Sequence, residues 1–253
     1  MMEATIAALY RYPVKGLSPQ LLAEVAVEAG QTIPFDRAYA IENGPGAFDD
    51  AAPRHLPKAV FLCLMRDERL ATLETAFETE TSTLTLARNG EVQARGSLNT
   101  AEGRAAIETF IARDMAAQLR GRPRVVSAAG HSFSDVKEKC LHVVNLASVR
   151  ALEQATGCAV DPMRFRANVL IDGLEPWAEL DWVEHEIGLG GARVHVFKRT
   201  VRCAATNVDP ATGVREGDLP DAIFRAQGHR DFGIYATIVS GGMIRNGDRC
   251  KIA

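Results

Sequence analysis

Short stretches of apolar, β-prone residues recur along almost the whole chain, and turn-forming residues interrupt them every few positions. Residues 4–12 and 22–27 are two such stretches. Residues 83–87 and 91–94 form a hairpin pattern around Asn89-Gly90, a dipeptide that readily accepts positive φ. Many short strands with few helices predict curled or closed β-sheets. We therefore expect a mainly β fold with peripheral helices, in the α+β class.

Three further segments with a less regular pattern are predicted to be strands, namely residues 33–41, 60–65 and 165–171. The clearest helix covers residues 100–119, with Asn99 as its cap, and a second helix at residues 146–155 is capped by Asn145. The first helix ends at Arg120-Gly121-Arg122-Pro123. We place a domain boundary there, which predicts one domain at residues 1–120 and another at residues 121–253.

Net charge and cysteine content limit which partners and which cellular compartment we expect for this chain. The net charge is −3 and no basic run appears, so we expect no nucleic-acid partner. The five cysteines are scattered, without zinc-finger or Cys-x-x-Cys spacing, which favours a reducing compartment. No apolar stretch approaches the ~20 residues that span a bilayer, and the N-terminus lacks a secretory pattern. We therefore expect a soluble, cytoplasmic protein with no membrane span.

The densest group of reactive and turn-forming residues is the segment Thr200-Val201-Arg202-Cys203-Ala204-Ala205-Thr206-Asn207-Val208-Asp209-Pro210-Ala211-Thr212-Gly213. Cys203 follows a predicted strand, and Arg202 lies beside it. A neighbouring cation lowers the pKa of a thiol, and the thiolate is the form that attacks electrophiles or binds metals. A lone cysteine is more often a small buried apolar residue. This pair of residues alone leaves both interpretations open.

Four other polar features also have two interpretations each. Lys15, in Tyr12-Pro13-Val14-Lys15-Gly16, is functional or merely solvated, and Asp36-Arg37 is functional or a surface ion pair. Arg166 and Asn168 would share one strand face, because alternate side chains point the same way, and that face meets a ligand or water. Asp209 is a general base or a turn former. Sequences typical of zinc peptidases, P-loop proteins and serine hydrolases are absent.

The order of these features resembles that of a known family. Tyr-Pro-Val-Lys is followed by Asp-Arg, then by Phe-Arg-x-Asn, then by Arg-Cys-x-x-Thr-x-Val-Asp-Pro-x-Thr-Gly. This order resembles the MOSC family over nearly the whole chain. It is most similar to the two-part members with an N-terminal β-barrel region, which include the mitochondrial amidoxime reducing component and its bacterial relatives. The resemblance implies a two-part β-barrel architecture and a molybdenum cofactor, Mo-molybdopterin.

The resemblance also implies roles for individual residues. Cys203 matches the cysteine that supplies sulfur to molybdenum in that family, so it is the implied metal ligand and catalytic residue. The matching positions around the pterin and its terminal phosphate are Lys15, Arg37, Arg166, Asn168 and Arg202. Guanidinium and amide groups suit such a polar anion. Asp209, six residues after Cys203, is expected to be a second catalytic residue, acting as a proton relay.

Three positions depart from the amidoxime-reducing members, which carry hydroxyl residues there: Gly16, Val201 and Glu138-Lys139. The resemblance therefore implies cofactor binding but no particular substrate.

The leading functional hypothesis is a molybdoenzyme oxidoreductase that reduces N-oxygenated compounds or transfers an oxygen atom, acting on a small-molecule substrate. The plant-type cysteine spacing for a [2Fe–2S] cluster is absent, so we expect a separate electron-transfer protein or reductase as partner. The alternative is a sulfur carrier that holds a persulfide on Cys203 for a biosynthetic acceptor. A third hypothesis makes Cys203 a nucleophile with His195 or His229 as base, although no spacing supports it.

Overall fold

The computed structural model describes residues 3–44 and 46–252. The strands are β1 Glu3–Arg11, β2 Gln20–Leu22, β3 Glu24–Val27, β4 Ala40–Asn43, β5 Glu74–Glu78, β6 Thr83–Arg88, β7 Glu91–Ser97, β8 Pro123–Val126, β9 Leu141–Asn145, β10 Val169–Asp172, β11 Glu186–Leu189, β12 Ala192–Val201, β13 Asp231–Ser240, β14 Gly242–Arg245 and β15 Arg249–Ile252. The α-helices are α1 Ala101–Asp114, α2 Leu146–Thr156 and α3 Leu219–Gln227. The predicted mainly β fold with peripheral helices is confirmed.

Seven strands close into a barrel in the order β10-β9-β13-β12-β11-β15-β1, and β1 completes it by pairing with β10. One edge of β1 pairs with β10, while the other edge pairs first with β15 and then with β2. Side chains that alternate along these strands fill the interior, as they do in small barrels. Among them are Ile6, Leu9, Val143, Val194 and Ile234.

The first half of the chain adds smaller sheets beside the barrel. Strands β5, β6 and β7 form an antiparallel sheet whose β6–β7 hairpin turns at Asn89-Gly90, as predicted, with φ of 53° and 76°. Helix α1 lies against β7, because Gly96 and Gly103 allow the two backbones to meet. A Cβ on Gly96 would lie 2.3 Å from the Gly103 carbonyl oxygen. Strand β4 pairs with β8, and β3 pairs with β14.

Strand pairing crosses the predicted domain boundary. Strand β1 belongs to the first half of the sequence, yet its barrel partners β10 and β15 belong to the second. Strand β8, which begins just after residue 121, pairs with β4 of the first half. The division into residues 1–120 and 121–253 stays a prediction.

Helix α2 has the predicted cap, and α1 does not. The Asn145 side chain accepts from the backbone N–H of Ala147, and α2 ends at Gly157 in the left-handed conformation. Helix α1 is capped by Thr100, whose side chain accepts from the backbone N–H of Gly103. The prediction of Asn99 as cap was wrong, and the helix ends at Asp114 instead of continuing to residue 119.

The strand predicted at residues 33–41 was wrong except at its end. Phe35 and Arg37 are left-handed, with φ of 65° and 49°, so this segment turns. It wraps around Tyr12, because the Asp36 carboxylate accepts from the backbone N–H of Tyr12 at 2.8 Å. The Arg37 N–H in turn donates to the Tyr12 carbonyl at 2.7 Å.

The strand predicted at residues 165–171 is confirmed only at residues 169–171, which belong to β10, and the strand predicted at residues 60–65 was wrong. Residues 165–168 precede β10: a 3-10 helix at Pro162–Phe165 ends in Arg166, which is left-handed with φ 53°. Arg166 and Asn168 therefore do not share a strand face. Residues 60–65 contain the end of the 3-10 helix Lys58–Val60 and a single bridge between Phe61 and Glu42. Across residues 3–44 and 46–252, no helix is long and apolar enough to cross a membrane.

Candidate functional site

A cavity of about 260 Å³ lies between loops of the first half and strands β9, β12 and β13. Its volume is close to the lower limit of small-molecule sites, about 300 Å³. Seven basic side chains and two carboxylates line it, whereas the whole chain carries a net charge of −3. The basic residues are Lys15, Arg37, Lys58, Arg164, Arg166, Lys198 and Arg202, and the carboxylates are Asp36 and Asp135. This local excess of positive charge favours an anionic ligand.

Cys203 lies on the cavity wall at the end of β12, and its side chain is partly exposed. The Lys58 ammonium donates to the Cys203 sulfur at 3.2 Å. Burial alone would lower the pKa of Lys58, but Asp135 and Cys203 nearby raise it. The sulfur therefore faces a positive charge and is not enclosed in apolar packing, which favours the functional interpretation of Cys203.

Arg37 and Arg166 lie over one aromatic ring. Their guanidinium carbons are 4.4 Å and 4.3 Å from the centroid of the buried Tyr12 ring. The Arg37 guanidinium donates to Asp36 at 2.6 Å and to the Arg166 carbonyl at 3.0 Å. Asp36 is buried, so this is not the surface ion pair of the alternative interpretation. The Arg166 guanidinium has no hydrogen-bond acceptor in the described chain, and burial lowers its pKa to about 10.

Lys15 is buried and held by two oxygen atoms, so it is not a solvated lysine. Its ammonium donates to the Phe133 carbonyl at 2.8 Å and forms an ion pair with Asp135. Burial lowers the pKa of Lys15, and Asp135 partly offsets that effect. Burial would raise the pKa of Asp135, but Lys15 and Lys58 hold it well below its usual range. The lysine and aspartate thus stay charged together.

Arg202 directly precedes Cys203 in the chain and lines the same cavity. It donates to the Phe165 carbonyl at 3.0 Å, and one nitrogen lies 3.4 Å from His142 Nε2. Burial and Arg202 keep the pKa of His142 far below its ordinary value, so His142 is neutral and can accept. Within the described residues, Arg202 Nε and Thr200 Oγ1 are buried without a hydrogen-bond partner.

Three hydrogen bonds to the protein hold the Asn168 side chain. Its amide oxygen accepts from Arg37 at 3.3 Å and from the backbone N–H of His142 at 3.1 Å. Its amide nitrogen donates to the Tyr10 carbonyl at 3.1 Å. Asn168 therefore lines the cavity mainly as a support for Arg37 and β9.

Asp209 is not brought to the cavity wall. One carboxylate oxygen accepts from the backbone N–H groups of Ala211 and Thr212, both at 2.9 Å. The other accepts from Arg164 at 2.8 Å. Burial would raise the pKa of Asp209, but these hydrogen bonds lower it. The geometry favours the turn-forming interpretation, and the proton-relay role of Asp209 stays a prediction.

Sequence reasoning missed Lys58, Asp135 and Tyr12 as members of the site. Lys58 contacts Cys203, which is 145 positions away, and Asp135 contacts Lys15, which is 120 positions away. No local pattern in the sequence marks either residue. Tyr12 did carry a signal, since it opens the motif that contains Lys15. Five predicted residues, Lys15, Arg37, Arg166, Asn168 and Arg202, line the same cavity as Cys203.

Comparisons with known proteins agree with this architecture. The model of the MOSC N-terminal beta barrel domain matches residues 3–135, and the model of the MOSC domain matches residues 128–251. The molybdenum cofactor sulfurase of Drosophila willistoni is 37% identical over 116 residues, which cover 44% of this chain. The chain spans only 14% of the length of that relative.

Two solved structures are also similar. The YuaD protein from Bacillus subtilis has a TM-score of 0.48 and 14% identity, covering 99% of this chain and 96% of that one. YiiM from Geobacillus stearothermophilus has a TM-score of 0.36 and 21% identity, covering 45% of this chain and 53% of that one. Because the two domain models together span residues 3–251, the chain belongs to the MOSC family, with a MOSC domain preceded by a MOSC N-terminal beta barrel domain.

Proposed function

We propose that the chain binds a molybdenum cofactor in this cavity, with Cys203 as the protein's sulfur ligand to the metal. It would act as an oxidoreductase that reduces N-oxygenated compounds or transfers an oxygen atom. The observation that carries the proposal is the meeting of basic side chains from separate segments around one partly exposed sulfur. Family membership and the partial likeness to a molybdenum cofactor sulfurase support it.

The side chains of the cavity suit such a cofactor. Buried polar groups in native proteins are normally hydrogen-bonded, yet Thr200 Oγ1 and Arg202 Nε have no protein partner within the described residues. A phosphate and a pterin offer the acceptors that guanidinium groups need. When bound, the cofactor would supply a redox-active metal for the transfer of oxygen or the cleavage of an N–O bond.

The residues of the chain would bind and orient this group. Arg37 and Arg166, stacked on Tyr12, and Arg202 would hold the phosphate and the pterin. The ammonium of Lys58 beside Cys203 is a favourable neighbour for a metal-binding thiolate. Electrons would come from a separate electron-transfer protein or reductase.

Molybdenum and pterin content test the proposal. Protein purified from a molybdate-fed host should contain molybdenum and pterin in near-stoichiometric amounts relative to the chain. The Cys203→Ala variant should lose the metal. Cys158→Ala is the matched control, because Cys158 is exposed and outside the cavity. Molybdenum retained by the Cys203→Ala variant would contradict the assignment of Cys203.

A sulfur carrier is the second candidate. The Lys58–Cys203 contact would suit a persulfide as well as a thiolate, and the relative that matches 44% of the chain is a sulfurase. Protein free of molybdenum that carries sulfane sulfur on Cys203 would support this candidate instead.

A further inference from the structure

Most charges on the cavity wall are already paired within the protein. Lys15 pairs with Asp135, and Arg37 pairs with Asp36. Arg164 is held by Asp209 at 2.8 Å and by Glu216 at 3.0 Å. Both cavity carboxylates are thus engaged by neighbouring cations. A positively charged ligand would therefore find no free carboxylate among the described lining residues.

Lys58 differs from the arginines assigned to the cofactor. It belongs to the 3-10 helix Lys58–Val60, whereas Arg166 and Arg202 stack on Tyr12 and Phe165. Its side chain is 30% exposed, so solvent reaches it. An ammonium has three N–H donors. One of them meets the Cys203 sulfur, and the Asp135 carboxylate is 3.8 Å away, beyond hydrogen-bond distance. At least one donor remains for a ligand.

We propose that Lys58 receives the negative group of a small anionic substrate beside the Cys203 sulfur. The substrate class is then a small oxyanion or carboxylate-bearing molecule, in preference to a cation. This inference rests on the proposed function, since it names the substrate class of the same site. The Lys58 ammonium, which is not among the groups assigned to hold the phosphate and the pterin, favours such a molecule, because opposite charges a few ångströms apart attract even in water.

The test compares two alkylating reagents of similar size on the full chain expressed without the cofactor. Iodoacetate carries a negative charge and iodoacetamide carries none. Their rate ratio at one pH does not depend on how much of the thiol is ionised, because both reagents attack the same thiolate. Peptide mass spectrometry follows Cys203 and, within the same molecule, the exposed Cys158 as reference.

The iodoacetate-to-iodoacetamide ratio should be higher at Cys203 than at Cys158. Lys58→Gln should lower the Cys203 ratio on the order of fivefold, the effect of one charge about 4 Å away in water. Lys58→Arg should preserve it, and added salt should reduce it in the parent protein. Lys251→Gln, an exposed lysine on β15, is the matched control.

Equal ratios at Cys203 and Cys158, or a Cys203 ratio unchanged by Lys58→Gln, would overturn the inference. Circular dichroism and thermal melting would show that the variant is folded. The failure of this inference is distinguishable from failure of the proposed function, because the ratio is measured without metal. Molybdenum content would still report on cofactor binding.

Discussion

At the scale of single residues, the site depends on two arginines held in a costly backbone conformation. Arg37 and Arg166 are both left-handed, with φ of 49° and 53°. Such residues cost about 1–3 kcal/mol each and cluster at functional sites. Stacking on Tyr12 offsets part of that cost, since a desolvated cation–π contact contributes about 2 kcal/mol. The two guanidinium groups are therefore positioned before any ligand arrives.

Replacing Arg166 by glutamate should abolish cofactor retention without unfolding the protein. The new carboxylate would repel a phosphate, and no hydrogen bond to another described residue is lost from the guanidinium. Bound pterin should fall on the order of tenfold or more. Fluorescence of the released pterin measures it, with Arg113→Glu on the exposed face of α1 as control. Normal pterin content in the Arg166→Glu variant would place this arginine outside the binding site.

Part of this site could be predicted from the order of motifs. Cys203 and five polar residues were named from the sequence, and the structure brings them to one cavity. Lys58 and Asp135 could not be predicted that way, because each belongs to the site only through a contact with a residue more than a hundred positions away. The proton-relay role of Asp209 stays a prediction, and a short distance in sequence from Cys203 does not by itself direct a side chain toward it.

At the scale of elements, the turn after Lys15 explains one departure from the amidoxime-reducing members. Gly16 has φ of 86°, and a Cβ there would lie 2.9 Å from the Leu62 carbonyl oxygen. A serine at this position would be strained and would press on the backbone of the neighbouring loop. Glycine thus allows that loop, which carries Cys63 and Leu64, to approach the cavity wall.

The 3-10 helix Ala178–Trp182 contains a buried carboxyl group that makes the stability of the fold depend on pH. Glu179 accepts hydrogen bonds from Ser148 at 3.0 Å and Asn145 at 3.2 Å, and no cation among residues 3–44 and 46–252 pairs with it. Burial raises its pKa to about 7. The folded protein therefore holds this proton more tightly than the unfolded chain. The contribution of Glu179 to stability must fall as pH rises from its ordinary pKa toward 7.

Glu179→Gln should remove this pH dependence. The shift corresponds to roughly 3 kcal/mol at high pH. Relative to the parent protein, the variant should gain stability between pH 5 and pH 8. Urea unfolding at the two pH values measures the difference. A variant that loses stability relative to the parent as pH rises would show that the carboxylate is stabilised in the fold.

Regular local patterns were enough to predict some elements and not others. The Asn89-Gly90 hairpin and helix α2 were predicted correctly because their turn and cap residues act locally. Most of the strand predicted at residues 33–41 and the first part of the strand predicted at residues 165–171 were wrong, because contacts with Tyr12 and other distant residues override an apolar pattern. Both errors fall on segments that line the cavity, where left-handed Arg37 and Arg166 replace a regular strand.

At the scale of the whole molecule, the two halves of the chain are joined around the cavity. Strand β1 closes the barrel built by the second half. Arg215, downstream of Cys203, donates to the Ala204 carbonyl at 3.0 Å and to the Met65 carbonyl at 2.9 Å. It also pairs with Glu68 at 3.0 Å. The sulfur and the loops opposite it are therefore held in one arrangement by both halves.

The central claim is that Cys203 binds the metal of a molybdenum cofactor in this cavity. X-ray absorption at the molybdenum edge of the purified parent protein tests it most directly, because it counts the sulfur neighbours of the metal. We expect one more sulfur neighbour than the pterin dithiolene provides, contributed by Cys203. A count equal to the dithiolene sulfurs alone, or protein that holds no molybdenum after growth with molybdate, would contradict the account.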